Sequence, residues 1–243
     1  MGAQLRGKAA LVTGGSRGIG RAIAAGLASE GAAVAVGYLR NEDRAREVVG
    51  TITDAGGRAT ALQADVSRPA EVTRLFDGAE GALGPLDIVV ANAADLIEKP
   101  LADCSEDDYH RIFDTNTKGV FFTLGEAARR LNDGGRIIVS STGGTRMFFS
   151  EQSLYLGSKG AVEQFVRSLS RELGPRAITV NAISPGPTET DMMQERYREQ
   201  IAAMSPFNRL GQPADVADVA VFLATDAARW VTGQNLGAGG GVF

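Results

Sequence analysis

Residues 9–20, with the sequence AALVTGGSRGIG, decide the fold because an apolar run passes directly into a glycine-rich turn and then into a helical pattern. The glycines of this turn have the spacing G-x-x-x-G-x-G. Without side chains, the backbone can turn tightly and approach a pyrophosphate, whose charge is stabilised by the free amides of a helix N-terminus. The stretch therefore predicts a nucleotide site, and a glycine-rich turn without a ligand is the alternative.

Strand and helix patterns alternate along the rest of the chain. Besides 9–13, apolar runs predict strands at residues 33–38, 60–66, 88–92, 137–141, 178–183 and 231–236. Helical patterns lie between them at 21–30, 42–55, 70–83, 106–131, 154–173 and 213–224. Strands that are apolar almost throughout indicate a parallel sheet covered on both faces. We therefore expect an α/β Rossmann fold, a doubly wound parallel sheet of about seven strands, in a single domain of residues 1–243.

The composition excludes several classes of partner. The 243 residues carry a formal net charge of -4 and their basic residues are scattered, so we expect neither nucleic acid nor a membrane surface as a partner. The N-terminus lacks the apolar core of a signal peptide, and no run is long enough to cross a bilayer. With one cysteine, Cys104, and one histidine, His110, we expect no disulfide and no metal site. The sequence predicts a cytoplasmic protein.

Polar and small residues follow the third and fourth predicted strands, at the edge of the sheet where doubly wound folds bind their ligands. Asp65 and Val66 close the third strand, and Asn92, Ala93 and Ala94 close the fourth. We expect these residues to contact an adenine and its ribose. Asp65 has an alternative role as a cap for the helix that follows it.

The end of the second predicted strand indicates which dinucleotide would bind. Tyr38 ends the strand and Arg40 and Asn41 follow it, so no acid stands where a free ribose 2′-hydroxyl is usually recognised. Arg17 in the glycine turn and Arg40 can instead converge on a 2′-phosphate, with which a guanidinium pairs well. The sequence therefore favours NADP over NAD. If Arg40 is only a solvated loop residue, Arg17 alone carries the preference.

Tyr155 and Lys159 are four residues apart in a helical stretch, so both side chains project from one face. A phenol has an unperturbed pKa of about 10, and a nearby ammonium lowers that pKa by favouring the phenolate. The spacing alone can arise by chance. Its setting is more specific, because Ser141 ends the fifth predicted strand and Asn116 lies in the long helix before that strand. We expect these groups to meet at the carboxyl edge of the sheet.

Taken together, these stretches resemble the short-chain dehydrogenase/reductase family over essentially the whole chain. They occur in the family's order: residues 13–20, 65–66 and 92–94, Asn116, Ser141, Tyr155 with Lys159, and Pro185-Gly186. Residues 153–162, 178–182 and 190–192 are most similar to NADPH-dependent ketoreductases, such as trihydroxynaphthalene reductases and 3-oxoacyl-acyl-carrier-protein reductases. The resemblance implies that NADPH reduces a ketone to a secondary alcohol.

The resemblance also implies roles for individual residues. Tyr155 would be the general acid, Ser141 would hydrogen-bond the substrate carbonyl, and Lys159 would hold the nicotinamide ribose and tune Tyr155. Asn116 would hold a water that links Lys159 to solvent, and Ser140 competes with Ser141 for its role. The implied cofactor-binding residues are Gly14, Ser16, Arg17, Gly18, Ile19, Gly20, Tyr38, Arg40, Asn41, Asp65, Val66, Asn92, Ala93, Ala94, Tyr155, Lys159, Pro185, Gly186, Thr188 and Thr190.

The family resemblance further implies a homotetramer, or a homodimer, in which the helices of Asn116 and Tyr155 contact neighbouring subunits. Two other functions stay open. One is an NAD(P)-dependent alcohol dehydrogenase that oxidises a small or cyclic alcohol, and the other is a binding protein without catalysis. A noncatalytic member would usually have lost the phenol, its lysine or the serine, and all three are present in this chain.

The substrate end of the sequence is rich in methionine and aromatic residues. Between residues 185 and 206 the helical pattern is weak, which suits a mobile lid, and Phe207 follows it. We expect a small-molecule ketone that is apolar, either aromatic and polyketide-like or a 3-oxoacyl thioester. The alternative is that these side chains pack in a core or an interface. They are Met147, Phe148, Phe149, Met192, Met193, Tyr197 and Met204.

Three arginines bear on whether the substrate is delivered by another protein. Arg129, Arg130 and Arg171 are candidates for a basic rim that an acidic carrier protein would contact. Arginines on solvated helix faces need no such purpose, so the sequence gives this partner little support.

Overall fold

The computed structural model describes residues 3–191, 193 and 198–243. Within them, one parallel sheet holds seven strands: β1 (Ala9–Val12), β2 (Ala33–Tyr38), β3 (Ala59–Gln63), β4 (Ile88–Ala91), β5 (Arg136–Ser140), β6 (Thr179–Pro185) and β7 (Asn235–Ala238). Their order is β3-β2-β1-β4-β5-β6-β7, which reverses direction between β1 and β4. The predicted doubly wound parallel sheet is confirmed, and its reversal point is where such folds bind ligands.

Helices cover both faces of this sheet. They are α1 (Gly18–Ser29), α2 (Glu42–Asp54), α3 (Pro69–Leu83), α4 (Glu106–Phe113), α5 (Gly119–Arg130), α6 (Ser153–Glu172), α7 (Arg198–Ala202) and α8 (Pro213–Ala224). Successive strand residues point to opposite faces, so Leu11 packs in the core with α3, α5 and α6, while Val12 packs in the core with α1, α2 and α8. The two cores explain why the strands are apolar throughout rather than alternating.

The helix predicted over residues 106–131 is interrupted. A π turn at Asp114–Lys118 separates α4 from α5, and Asn116 lies within it. The Asn116 side chain accepts from the backbone N–H of Asp95 (2.8 Å) and donates to its carbonyl (2.8 Å). These hydrogen bonds to a distant residue occur where the π turn adds one residue to the helical turn. Helical periodicity in the sequence does not predict such a bond.

Two strand ends also differ from the prediction. β3 ends at Gln63, so Asp65 lies in the turn that follows, where its carboxylate accepts from the N–H (3.0 Å) and hydroxyl (2.6 Å) of Ser67. The last strand was predicted at residues 231–236 and is β7, Asn235–Ala238. The residues before β7 are bound by the Asn181 side chain and not by strand-to-strand backbone hydrogen bonds. Asn181 donates to the carbonyl of Val231 (2.7 Å) and accepts from the N–H of Gln234 (3.1 Å).

Helix termini place the segments around the sheet edge. A capping box begins α4, since Ser105 Oγ accepts from the N–H of Asp108 (3.1 Å) and the Asp108 carboxylate accepts from the N–H of Ser105 (2.9 Å). In the segment predicted as a lid, residues 198–202 form the short helix α7. Met192 and Tyr197 lie outside the described residues. No helix in the described part of the chain is long and apolar enough to span a membrane.

Candidate active site

A cavity of about 920 Å³ opens at the carboxyl edge of the sheet. Every residue that the sequence predicted as cofactor-binding lines it, from the glycine turn to Thr190. Ser141, Tyr155 and Lys159 line it as well, whereas Asn116 lies behind its wall. The structure therefore brings the predicted nucleotide residues and the predicted proton-transfer residues into one continuous space.

The glycine turn is shaped by close backbone contacts. Gly18 has φ +52°, a conformation that side chains disfavour, and it begins α1. A Cβ on Gly20 would lie 2.2 Å from the carbonyl oxygen of Gly14, so only glycine allows the turn to fold back on itself. Arg17 at the N-cap makes no side-chain cap hydrogen bond. The first amides of α1 are thereby left to a ligand in the cavity, which fits a dinucleotide pyrophosphate.

Asn92 fastens the glycine turn to the sheet. Its Nδ2 donates to the carbonyls of Thr13 (3.2 Å) and Gly14 (3.1 Å), and its Oδ1 accepts from the hydroxyl of Ser140 (3.0 Å). The side chain thus joins the ends of β1, β4 and β5. Asn92 was predicted to contact the adenosine. In the structure, its side-chain oxygen and nitrogen instead form hydrogen bonds within the protein, between the glycine turn and the end of β5.

The arginines near the end of β2 are arranged differently from the prediction. Arg40 is exposed, and no ion pair with it is found among the described residues. Arg17 instead lies 3.4 Å from the Asp191 carboxylate, and Arg44 of α2 lies 2.6 Å from the same oxygen. Sequence reasoning missed Arg44, because only the folded chain brings it to Arg17.

Lys159 is a buried ammonium at the centre of the site. Its side chain is 2% exposed and its Nζ donates to the carbonyl of Ser140 (2.7 Å). Burial lowers the pKa of Lys159 from 10.5 to about 8. The ammonium has three donors and no second hydrogen-bond partner in the described part of the chain. Ribose hydroxyls of a dinucleotide would satisfy these donors, so the lysine fits such a cofactor.

Tyr155 lies beside this ammonium, with its ring centre 5.9 Å from the Nζ of Lys159. Burial raises the pKa of Tyr155, and a side-chain hydrogen bond from Thr142 opposes that rise. The net direction is the reverse of the lowering expected from a neighbouring ammonium, because removing the phenolate from water outweighs the hydrogen bond from Thr142. Tyr155 is therefore protonated at neutral pH.

Three consecutive hydroxyls at the end of β5 point to different partners. Ser140 donates to Asn92 (3.0 Å), Ser141 donates to the carboxylate of Glu163 (2.7 Å), and Thr142 bonds Tyr155. Sequence reasoning missed Thr142 and Glu163. Glu163 stands four residues after Lys159 and so shares its helix face, which is the one signal that pointed to it.

Asn116 is held by hydrogen bonds on every side. Besides its two bonds to Asp95, its Nδ2 donates to the hydroxyl of Ser158 (3.1 Å), which in turn donates to the carbonyl of Tyr155 (2.6 Å). Both amide hydrogens are used. The side chain thus anchors the π turn to α6, at the residues that carry the proton-transfer pair.

Apolar side chains line the outer part of the cavity. Met147, Phe149, Met193, Ile201 and the C-terminal Phe243 contribute to it. Of the other predicted members, the three that lie within the described residues do not line it, and they are exposed: Phe148, Met204 and Phe207.

The C-terminal ring of Phe243 is seated on glycine. A Cβ on Gly143 would lie 2.0 Å from its Cε1, and the Arg146 guanidinium lies 5.5 Å from the ring centre. Phe243 is therefore packed closely into the cavity wall, a position that no sequence pattern predicted.

Two further expectations concern a carrier protein and a metal ion. Arg129 pairs with Glu126 (2.6 Å), and Arg130 pairs with Asp77 (2.7 Å) and Glu126 (2.7 Å). Both arginines therefore already form ion pairs with carboxylates of the same chain. Within residues 3–191, 193 and 198–243, no three His, Cys, Asp or Glu side chains are grouped as a metal site would require.

The fold and the site together define a dinucleotide-dependent oxidoreductase, since a glycine turn at the reversal point of the sheet faces a tyrosine and a buried lysine. Residues 14–243 match the family model described as enoyl-(acyl carrier protein) reductase. The chain belongs to the short-chain dehydrogenase/reductase family.

Individual relatives match over almost their full length. The chain is 43% identical to versicolorin reductase stcU of Emericella nidulans, over 99% of this chain and 97% of that protein. It is also 43% identical to elsinochrome reductase 1 of Elsinoe fawcettii, over 98% and 95%. The solved structure of angucycline C-6 ketoreductase LanV with bound NADP superposes with a TM-score of 0.95 at 40% identity, covering 100% of this chain and 98% of that one.

Proposed function

We propose that this chain is an NADPH-dependent carbonyl reductase that converts a ketone to a secondary alcohol. The observation that carries the proposal is the pair of Tyr155 and buried Lys159 in the same cavity as the glycine turn. Because burial raises the pKa of Tyr155, the phenol holds its proton at neutral pH. This state suits a proton donor in the reduction of a carbonyl.

The proposed mechanism divides the work between the cofactor and the chain. NADPH, when bound, supplies the hydride for the carbonyl carbon. Tyr155 donates its proton to the carbonyl oxygen, and Lys159 holds the ribose and stabilises the phenolate that forms. Proton return would pass from solvent through a water near Asn116. Since the Asn116 amide hydrogens are used, that water would bind a backbone group of the π turn.

Two hydroxyls share the role that the family resemblance gives to Ser141. Ser141 donates to Glu163 in this structure, so it must turn away from that carboxylate to donate to a substrate carbonyl. Thr142 already donates towards the oxygen of Tyr155. We propose that Ser141 binds the carbonyl and that Thr142 orients the phenol. Ser140 donates to Asn92, so we propose no carbonyl-binding role for it.

The cofactor is proposed to be NADP(H), held by the cavity residues predicted from the sequence. The free amides at the start of α1 suit the pyrophosphate, and Arg17 at that terminus suits a 2′-phosphate. The bound NADP in the LanV structure supports this choice.

The substrate is proposed to be an apolar, polycyclic aromatic ketone of the polyketide type. The outer cavity wall is formed by Met147, Phe149 and Phe243, whose surfaces suit a flat apolar ring system. The relatives named as versicolorin reductase, elsinochrome reductase and angucycline ketoreductase support the same chemistry. A carrier-bound 3-oxoacyl thioester is less well supported because Arg129 and Arg130 are already ion-paired.

The assembly is proposed from the family resemblance, and the location from the lack of an apolar signal-peptide core at the N-terminus. We propose that residues 1–243 act as one domain in a cytoplasmic homotetramer. Phe121 on α5 is 53% exposed and packs edge-on against Phe165 of α6, which leaves an apolar surface suited to a helix-mediated contact. Light scattering of the purified chain tests this, and a monomer at micromolar concentration would contradict it.

A coenzyme-consumption screen tests the activity itself. Polycyclic aromatic ketones, short-chain 3-oxoacyl thioesters and small polar ketones are each offered with NADPH and with NADH. We expect turnover of the aromatic ketones with NADPH. Turnover confined to small polar ketones would overturn the substrate class, and equal rates with NADH would overturn the coenzyme choice.

A further inference from the structure

We propose that Arg44, together with Arg17, recognises the 2′-phosphate of NADPH. We further propose that the Asp191 carboxylate occupies the phosphate position between Arg17 and Arg44 when no NADPH is bound. The inference rests on the proposed use of NADPH. It adds two residues that the sequence did not connect with coenzyme choice.

One carboxylate oxygen is shared by two guanidinium groups. Asp191 Oδ2 lies 2.6 Å from Nη1 of Arg44 and 3.4 Å from Nη1 of Arg17. Hydrogen bonds from Arg44 and then Arg17 hold the pKa of Asp191 below its usual value, so the carboxylate is ionised at neutral pH. Two cations that converge on one oxygen form a ready anion site.

The three residues come from parts of the chain that surround the adenosine end of the cavity. Arg17 precedes α1, Arg44 lies in the first turn of α2, and Asp191 follows β6. In doubly wound folds, the ribose of the adenosine is recognised just beyond β2, where α2 begins. Arg17 and Asp191 both line the cavity. Arg44 is not among the lining residues and reaches the cavity through its contact with Asp191. The carboxylate thus lies beside Arg17, where we infer that the 2′-phosphate of a bound dinucleotide would meet both arginines.

A phosphate is the stronger partner for this pair of arginines. It carries about two negative charges and three acceptor oxygens, whereas the carboxylate of Asp191 carries one charge. All three side chains are roughly half exposed, so each contact is moderate and can be exchanged. NADPH would take both arginines from Asp191, but NADH has no group that competes for them.

Arg40 and Arg44 differ in their contacts. Arg40 lines the cavity, is exposed and forms no ion pair within the described residues, so it stays available to a phosphate. Arg44 is four residues further along, in α2, and is not among the lining residues, but it shares an anion with Arg17. The geometry therefore adds Arg44 to the arginine that sequence position suggested and does not replace it.

Removing Arg44 and removing Asp191 should have opposite effects on NADPH binding. Arg44→Gln takes away one charged contact, so we expect NADPH to bind about tenfold more weakly. Asp191→Asn removes the competitor, so we expect NADPH to bind about threefold more tightly. NADH affinity should change in neither variant. In the double variant, the gain from Asp191→Asn should shrink, because the arginine that both anions share is missing.

The test is a fluorescence titration of purified protein with NADPH and with NADH, without substrate. Arg46→Gln is the matched control, since Arg46 lies on the same helix and pairs only with Glu42 (2.5 Å) in the described structure. The control should bind NADPH like the wild type.

Each outcome bears on the proposal. Unchanged NADPH affinity in Arg44→Gln, or an equal loss in Arg46→Gln, overturns the role of Arg44. If Asp191→Asn weakens both coenzymes, Asp191 is a clasp across the cleft and not a competitor. If the wild type binds NADH as tightly as NADPH, the proposed coenzyme itself is wrong, and this inference fails with it.

Discussion

Lys159→Met should abolish the activity and yet stabilise the folded chain at neutral pH. Burial lowers the pKa of Lys159 from 10.5 to about 8. At 1.36 kcal/mol per pKa unit, keeping this ammonium charged in the folded state costs about 3 kcal/mol at pH 7. The substitution also removes the bond to the Ser140 carbonyl, which costs about 1 kcal/mol. The expected net gain in the free energy of unfolding is about 2 kcal/mol.

The sign of the pH dependence follows from the lowered pKa. Below pH 8 the lysine is charged in both the folded and the unfolded chain, so the full cost is present. Between about pH 8 and the unfolded value of 10.5, the folded state releases its proton first and the cost disappears. The stability gained by Lys159→Met should therefore fall from about 2 kcal/mol at pH 7 to near zero at pH 10.

Urea denaturation of wild type and variant at pH 7 and pH 10, at one protein concentration, measures this difference. Lys118→Met is the control, because Lys118 is 40% exposed and pairs with Asp114 (2.8 Å) on the surface. Since this ion pair is exposed, the control should differ from wild type by less than about 1 kcal/mol at pH 7. Two results would contradict the reasoning: Lys159→Met being less stable than wild type at pH 7, or a difference in the free energy of unfolding that is the same at both pH values. Either would mean that the buried ammonium does not destabilise the folded chain.

Two further substitutions separate the hydroxyls at the end of β5. Thr142→Val removes the hydrogen bond that opposes the raised pKa of Tyr155, so the alkaline limb of the pH–rate profile should move to higher pH and kcat should fall about tenfold; an unmoved limb would contradict the link. Glu163→Gln should raise kcat/KM about threefold with unchanged NADPH affinity, because a neutral amide holds the Ser141 hydroxyl hydrogen less strongly than the carboxylate and so competes less with the substrate carbonyl. A lower kcat/KM in Glu163→Gln would mean that Ser141 needs the carboxylate and does not turn away from it.

The sequence was sufficient for features with a local or periodic signature. Alternating apolar runs and helical patterns predicted the parallel sheet, and the glycine turn at residues 9–20 predicted where its ligand edge lies. The four-residue spacing of Tyr155 and Lys159 placed both on α6. These predictions succeed because each depends on residues that are neighbours along the chain.

The features that the sequence missed depend on contacts between distant segments. The π turn at Asn116 is tied to Asp95, and no periodicity encodes that bond. The pairing of Arg44 with Asp191 joins residues that are 147 positions apart. The direction of the Tyr155 pKa shift depends on burial, which spacing cannot give. Charge partners and desolvation become visible only when the side chains have been placed in space.

Tyr155→Phe tests the central claim most directly. The variant keeps the ring and loses only the hydroxyl, so NADPH should bind with wild-type affinity, as measured by fluorescence titration. NADPH consumption with a polycyclic aromatic ketone should fall at least about a thousandfold, since the proton donor to the carbonyl oxygen is gone. Full activity of Tyr155→Phe, with NADPH binding intact, would contradict the account, because another group would then deliver the proton.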